Sequence, residues 1–185
     1  VNQVDLKAAT ENGVAVFNAP YSNTRSVAEL IIGLSVILIR KITDKNTAAH
    51  NGVWMKDATG SFELRGKTLG IIGYGNIGSQ VSTMAEAMGM HVVYYDIATK
   101  LPLGSAKQER DLGELLKQSD IVTLHVPSDV TTRNMINTET LKSMKKGGDV
   151  LNDRHEQLDN MGGLKTTVNK DTRRGRVCTV RRETG

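Results

Sequence analysis

An α/β fold built on an open parallel sheet is what this 185-residue sequence predicts, and three observations predict it. Short apolar runs alternate with helical patterns through the middle of the chain, the order that parallel strands and their crossover helices require. The runs lack polar alternation, as expected of strands buried on both faces. A glycine-rich turn, Gly73-Tyr74-Gly75-Asn76-Ile77-Gly78, joins one such run directly to the helix that follows it.

Taken in order, Val14-Ala15-Val16-Phe17 follows the turn residues Asn12-Gly13 and reads as a short strand ended by Asn18-Ala19-Pro20. Ser26-Val27-Ala28-Glu29 has the form of a capping box, a hydroxyl at the N-cap and a carboxylate three residues on. The helix it opens, residues 27–42, begins at Val27, closes near Ile42 and is apolar almost all round. Such a helix is buried, either in a core or against another subunit. Residues 50–61, with Trp54, are a loop or a short helical connection. Residues 67–72 form the first central strand, and a helical pattern runs from the glycine turn through Met88 to a stop at Gly89. His91-Val92-Val93-Tyr94-Tyr95 is the second strand and ends in Asp96. A helix over 112–118, a buried strand and its loop over 120–127, a helix over 138–146 and a strand over 149–152 complete the pattern.

Composition bounds the function classes. The length suits one sizeable core, and 38% apolar with 24% charged residues is typical of globular proteins in water. The net charge of +4 is unevenly placed: residues 151–185 carry 8 Lys+Arg against 5 Asp+Glu, leaving the first 150 nearly neutral. Basicity confined to a tail does not indicate nucleic-acid binding by the fold. A single cysteine, Cys178, excludes an intrachain disulfide and suits a reducing compartment. No cleavable signal pattern opens the chain. The strongest apolar run, residues 30–39, is about half of what a bilayer crossing requires. A soluble, cytoplasmic protein with no membrane partner is expected.

The glycine turn gains weight from its surroundings. G-x-G-x-x-G alone is a weak signal; here a strand precedes it, a helix follows, and a second strand closes on an acidic residue. Asp96 lies 23 residues past Gly73 and 18 past Gly78, near the ~20 of the Rossmann dinucleotide fingerprint. In that reading Gly73 permits the tight turn, Gly75 admits the pyrophosphate to the backbone, and Gly78 lets helix and strand pack closely. Asn76 and Ile77 present amide N–H groups at a helix N-terminus, where the dipole favours a phosphate. Asp96 accepts from both ribose hydroxyls and repels a 2′-phosphate, which favours NAD over NADP; Lys100 nearby would soften that exclusion. The fold expected is therefore a Rossmann-type, doubly wound parallel sheet of about five strands.

With the fingerprint placed, other stretches become recognisable. Asn18-Ala19-Pro20-Tyr21-Ser22-Asn23-Thr24-Arg25-Ser26-Val27-Ala28-Glu29, Arg65-Gly66-Lys67-Thr68-Leu69-Gly70-Ile71-Ile72-Gly73-Tyr74-Gly75, Tyr95-Asp96-Ile97, Leu101-Pro102-Leu103-Gly104 and Leu124-His125-Val126-Pro127 together resemble the D-2-hydroxy-acid dehydrogenases. Several of these motifs belong to the subgroup that acts on D-3-phosphoglycerate, and the resemblance covers roughly residues 1–150. It implies NAD-dependent oxidation of D-3-phosphoglycerate to 3-phosphohydroxypyruvate in L-serine synthesis. It also implies a cofactor or substrate contact at Asn23, pyrophosphate and ribose contacts at Asn76, Ile77 and Asp96, and a loop of His125, Val126 and Pro127 lying against NAD. The 27–42 helix would pack across a homo-oligomer interface. Residues 1–24 would be a remnant of the second, substrate-binding domain, 25–152 the NAD-binding domain, and 153–185 an atypical basic tail. Within the family another D-2-hydroxy acid, such as glyoxylate or D-lactate, is the alternative substrate; outside enzymes, a non-catalytic NAD-sensing corepressor is the alternative role.

The pattern breaks after Asn152. Oxidation of a hydroxy acid needs a base for the hydroxyl proton and a cation for the carboxylate. The family places Asn, a small residue, Ser, Arg and Gly there, whereas this chain reads Asn152-Asp153-Arg154-His155-Glu156. Arg154 is the candidate clamp, one residue early. Its neighbours His155 and Glu156 point to alternate faces of an extended chain and do not converge with it. The family's catalytic Glu and His segments are not recognisable, so the chain is expected to bind cofactor without completing the chemistry. Residues 153–185 show no period and are not expected to continue the sheet; an abrupt loss of resemblance at a strand is what a reading-frame shift produces.

Overall fold

The computed structural model describes residues 4–127, 131, 132, 134–152 and the backbone of 177–179. Three helices come first: α1 (Leu6–Glu11), α2 (Thr24–Ile39) and α3 (Ile42–His50). Strands and helices then alternate as β1 (Thr68–Ile72), α4 (Asn76–Ala87), β2 (His91–Tyr95), β3 (Lys107–Gln108), α5 (Leu112–Gln118), β4 (Ile121–Leu124), α6 (Thr138–Lys142), β5 (Asp149–Asn152) and β6 (Val177–Thr179). The sheet order is β3-β2-β1-β4-β5-β6, with every pair parallel. Strand order reverses between β1 and β4, and that reversal opens a crevice beyond their C-terminal ends.

Two apolar layers cover the two faces, as a doubly wound sheet demands. On one, Val27, Ile31 and Leu38 of α2 meet Ile77, Val81 and Ala85 of α4 over Leu69 and Ile71 of β1. On the other, Leu115 and Leu116 of α5 cover Ile72, Val93, Val122 and Leu124. Each fully buried aliphatic side chain contributes about 1.5–3 kcal/mol relative to exposure. Gly70 sets the distance on the second face: a Cβ there would stand 2.7 Å from Leu115 Cδ2 and run into Ser119 Oγ. Among the described residues no helix is long and apolar enough to cross a membrane.

Several expectations need correction. The helix after Pro20 starts at Thr24 with Asn23 as its N-cap, so Ser26 and Glu29 are not a capping box. Ser26 Oγ donates to Asn23 O at 3.0 Å inside the first turn, and Glu29 accepts from Arg25 Nε at 2.6 Å. The buried stripe of Thr24, Val27, Ala28 and Ile31 explains the earlier start, because it begins at Thr24. That helix also stops at Ile39 rather than Ile42. Lys41 adopts φ 53°, in the left-handed region, and α3 departs from there on a new axis. Arg25, Ser26, Glu29 and Gly33 of α2 are exposed, so its buried face is a stripe rather than the whole circumference.

Residues 14–17 do not form a strand. No neighbouring strand among the described residues supplies ladder bonds, and Phe17 is 89% exposed. The sheet has six strands, since β6 pairs with β5 through Val150↔Val177, Leu151↔Cys178 and Asn152↔Thr179. Residues 177–179 of the expected tail thus pair with the sheet; three residues between arginine clusters are too few to display a period. The helix predicted over 138–146 ends at Lys142.

Candidate functional site

The C-terminal ends of β1, β2 and β4 are knitted by backbone hydrogen bonds just where the glycine turn begins. Gly73 N donates to Tyr95 O at 2.8 Å, and His125 N donates to Ile72 O at 2.7 Å. Gly73 turns the chain at φ 94°. A Cβ there would lie 2.9 Å from the backbone C and O of His125 and from Val126 Cγ1. Gly78 is buried in the first turn of α4, where a Cβ would run into Gly73 O and lie 3.1 Å from Ile71 Cγ2. Both glycines are therefore required by the protein's own packing.

Gly75 is different. It is the N-cap of α4 at φ −90°, it is exposed, and a Cβ would meet nothing within 4 Å. Neither sterics nor backbone conformation asks for glycine here. The first amides of a helix lack intrahelical acceptors. In α5 and α6 the side chains of Asp111 and Asn137 accept from such amides. On α4 no side chain caps them. Gly75 thus leaves open space at the N-terminus of a 12-residue helix whose first amides no side chain caps, an arrangement that suits an anion.

Asp96 stands immediately after β2, beside the turn. Its Oδ2 accepts from Tyr74 N at 2.9 Å and its Oδ1 from Ala98 N at 3.0 Å. Two backbone donors thus fix the plane of the carboxylate, and each oxygen keeps acceptor capacity for another donor. On the far side, His125 is buried and its Nε2 lies 3.0 Å from Thr123 Oγ1. The imidazole is thus held inside the protein, and what His125 turns toward Gly73 is its backbone. Val126 is half-buried and Pro127 exposed at the mouth of the crevice.

The structure therefore gathers Gly73, Gly75, Asn76, Ile77, Gly78, Asp96, His125, Val126 and Pro127 at one end of the sheet. Asn23 caps α2 through its carbonyl, which accepts from Val27 N at 3.0 Å, and its side chain makes no capping bond. Arg154 lies outside the described residues. His50 and His91 are exposed, as surface histidines.

Four residues that no sequence motif marks as site candidates shape the same region. Tyr74 and Tyr94 stack with centroids 3.9 Å apart. Tyr74 Oη accepts from Leu103 N at 3.1 Å, and Tyr94 Oη donates to Lys100 O at 2.7 Å. Burial pushes the Tyr94 phenol up, with Tyr74 and Asp96 adding to it, so its proton stays in place as donor through neutral pH. Glu86 Oε1 accepts from Ser105 N and Oγ, both at 2.9 Å, and Gln108 reaches back to Ala98 and Lys100. No spacing in the sequence marks these contacts, which follow from strand register: Ile71↔Tyr94 sets the second tyrosine beside the end of β1.

Comparison with known proteins follows the same lines. The family model described as D-isomer specific 2-hydroxyacid dehydrogenase, NAD binding domain, matches residues 32–160. Over 151 residues the chain is 56% identical to the D-3-phosphoglycerate dehydrogenase of Haemophilus influenzae and 55% identical to that of Escherichia coli K12. Each alignment covers 82% of this chain and 37% of the relative, so the chain spans about a third of the length of those curated relatives. The NAD-complexed D-isomer specific 2-hydroxyacid dehydrogenase of Lactobacillus delbrueckii ssp. bulgaricus superposes with a TM-score of 0.86 at 29% identity, covering 98% of this chain and 56% of that one.

Proposed function

The chain belongs to the D-isomer specific 2-hydroxyacid dehydrogenases as their NAD-binding domain, and from that premise we propose that it is the cofactor half of an enzyme oxidising D-3-phosphoglycerate. The observation that carries the cofactor geometry is the glycine at position 75, which this fold does not need and a pyrophosphate would. The 56% identity to a D-3-phosphoglycerate dehydrogenase supports the substrate.

In this reading the amides of Asn76, Ile77 and Gly78 hold the pyrophosphate, Asp96 accepts from the adenosine ribose hydroxyls, and Val126 with Pro127 walls the crevice. Bound NAD supplies a hydride acceptor for the carbon bearing the hydroxyl. Asn23 as a contact and Arg154 as carboxylate clamp belong to the same proposal, as does a reducing, cytoplasmic setting. The test is calorimetric titration with NADH. Saturable binding is expected, weakened at least about 10-fold by Asp96→Ala, since a single hydrogen bond to a charged acceptor is worth ~1.5–3 kcal/mol. A cooperatively melting chain that takes up no NADH would overturn the assignment.

The same proposal has a second copy of the chain packing against α2 and the segment beyond α3. Val53, Trp54, Met55 and Phe62 are all exposed, Trp54 by 82%, an apolar density unusual for free surface. Sedimentation velocity at micromolar concentration should give a dimer or larger, and Trp54→Ser should shift it toward monomer. A wild-type chain sedimenting as monomer would remove this part of the proposal.

A further inference from the structure

We propose that Tyr94 and Gln108 are positioning residues for cofactor selectivity: together they clamp the segment after Asp96 and hold its carboxylate where it admits a ribose diol and rejects a 2′-phosphate. The inference rests on the NAD reading above and extends it to residues that do not line the crevice.

The connection is a set of hydrogen bonds joined through the backbone of Ala98 and Lys100. Gln108 Nε2 donates to Ala98 O at 2.9 Å, and Ala98 N donates to Asp96 Oδ1 at 3.0 Å. One residue, Ala98, therefore links the clamp to the carboxylate. Gln108 Oε1 accepts from Lys100 N at 3.3 Å, while Tyr94 Oη donates to Lys100 O at 2.7 Å. Lys100 is thereby fixed at both its amide and its carbonyl. The two clamp residues sit side by side, as register partners on β2 and β3.

This segment adds little to the core. Ile97 is 97% exposed and Leu101 92% exposed, so the bonds hold a shape rather than bury a surface. Shape matters here because rejection of a wrong ligand depends on where the repelling charge stands. A carboxylate fixed beside the ribose repels a phosphate at short range; one free to swing away does not. Lys100 is the one cation between residues 97 and 106. Released from its clamp, it becomes available to a 2′-phosphate.

The experiment measures affinities for NADH and NADPH at low and moderate salt in the whole chain, its Tyr94→Phe and Gln108→Ala variants, and the double variant. Tyr94→Phe keeps the ring stack and removes only the hydroxyl; Gln108 lies on the edge strand, so its truncation is safe for folding. The NADH:NADPH preference should fall severalfold in each single variant and on the order of tenfold in the double, matching lost hydrogen bonds. Adding Lys100→Ala to the double variant should abolish the salt-dependent part of any gain in NADPH affinity. An unchanged preference in both single variants and the double, whatever happens to the melting temperature, overturns the clamp while leaving the NAD reading intact. Failure of the unmutated chain to bind either dinucleotide sinks both.

Discussion

Gly73→Ala should destabilise the fold by about 2–4 kcal/mol, seen as a fall of roughly 4–16 °C in melting temperature by circular dichroism or calorimetry. Two independent costs combine. The residue sits at φ 94°, where an L side chain is strained. The new methyl group would also meet the backbone C and O of His125 at 2.9 Å, and backbone at the end of a buried strand has nowhere to go. Relief would require separating the ends of β1 and β4, which are joined by the His125 N to Ile72 O bond. A melt within 2 °C of the parent would show that this contact is softer than the geometry implies.

Gly75→Val should do the reverse: it should abolish NADH binding, by at least about 100-fold, at a stability cost of about 1 kcal/mol. That small cost reflects replacing a tolerated N-cap residue by a poor one. The side chain would enter open space, touching no protein atom, and fill the approach to the α4 amides. Titration with NADH checks the first half and thermal melting the second. Two glycines with one residue between them thus separate folding from binding: one variant weakens the native state, the other keeps it empty. Retained affinity in Gly75→Val would place the phosphates elsewhere.

The frame of the candidate site is legible in the sequence because it is built on strongly marked elements. β2, α5 and β5 fall on the residues expected, and Gly89, at φ 77°, ends the first crossover helix region as anticipated. Buried parallel strands announce themselves as unbroken apolar runs, and the acidic residue closing β2 has a fixed place after them. What escaped were features settled by tertiary contact. Ser26 and Glu29 satisfy the capping pattern locally, yet the buried stripe starting at Thr24 decides where α2 begins. Val14 to Phe17 have strand composition but no strand to pair with among the described residues. β3 and β6 are two and three residues long, shorter than any periodicity, and exist because a neighbour offers free backbone groups. The tyrosine and glutamine contacts behind Asp96 escaped for the same reason, since they depend on register rather than spacing.

The contact between Gly73 and His125 carries a consequence for how the molecule assembles. The two residues are 52 positions apart and meet backbone to backbone, and the Thr68 N to Asp120 Oδ2 bond spans the same separation. Parallel strands cannot be brought together by a hairpin, so nothing local prepares this meeting. Chain entropy must be spent on closing that long loop before the pairing returns any free energy. The glycine turn consequently has its final shape only in chains where β4 has already docked. A dinucleotide held there would be a ligand of the completed sheet alone, and by mass action it would shift the folding equilibrium toward the step in which β4 joins β1.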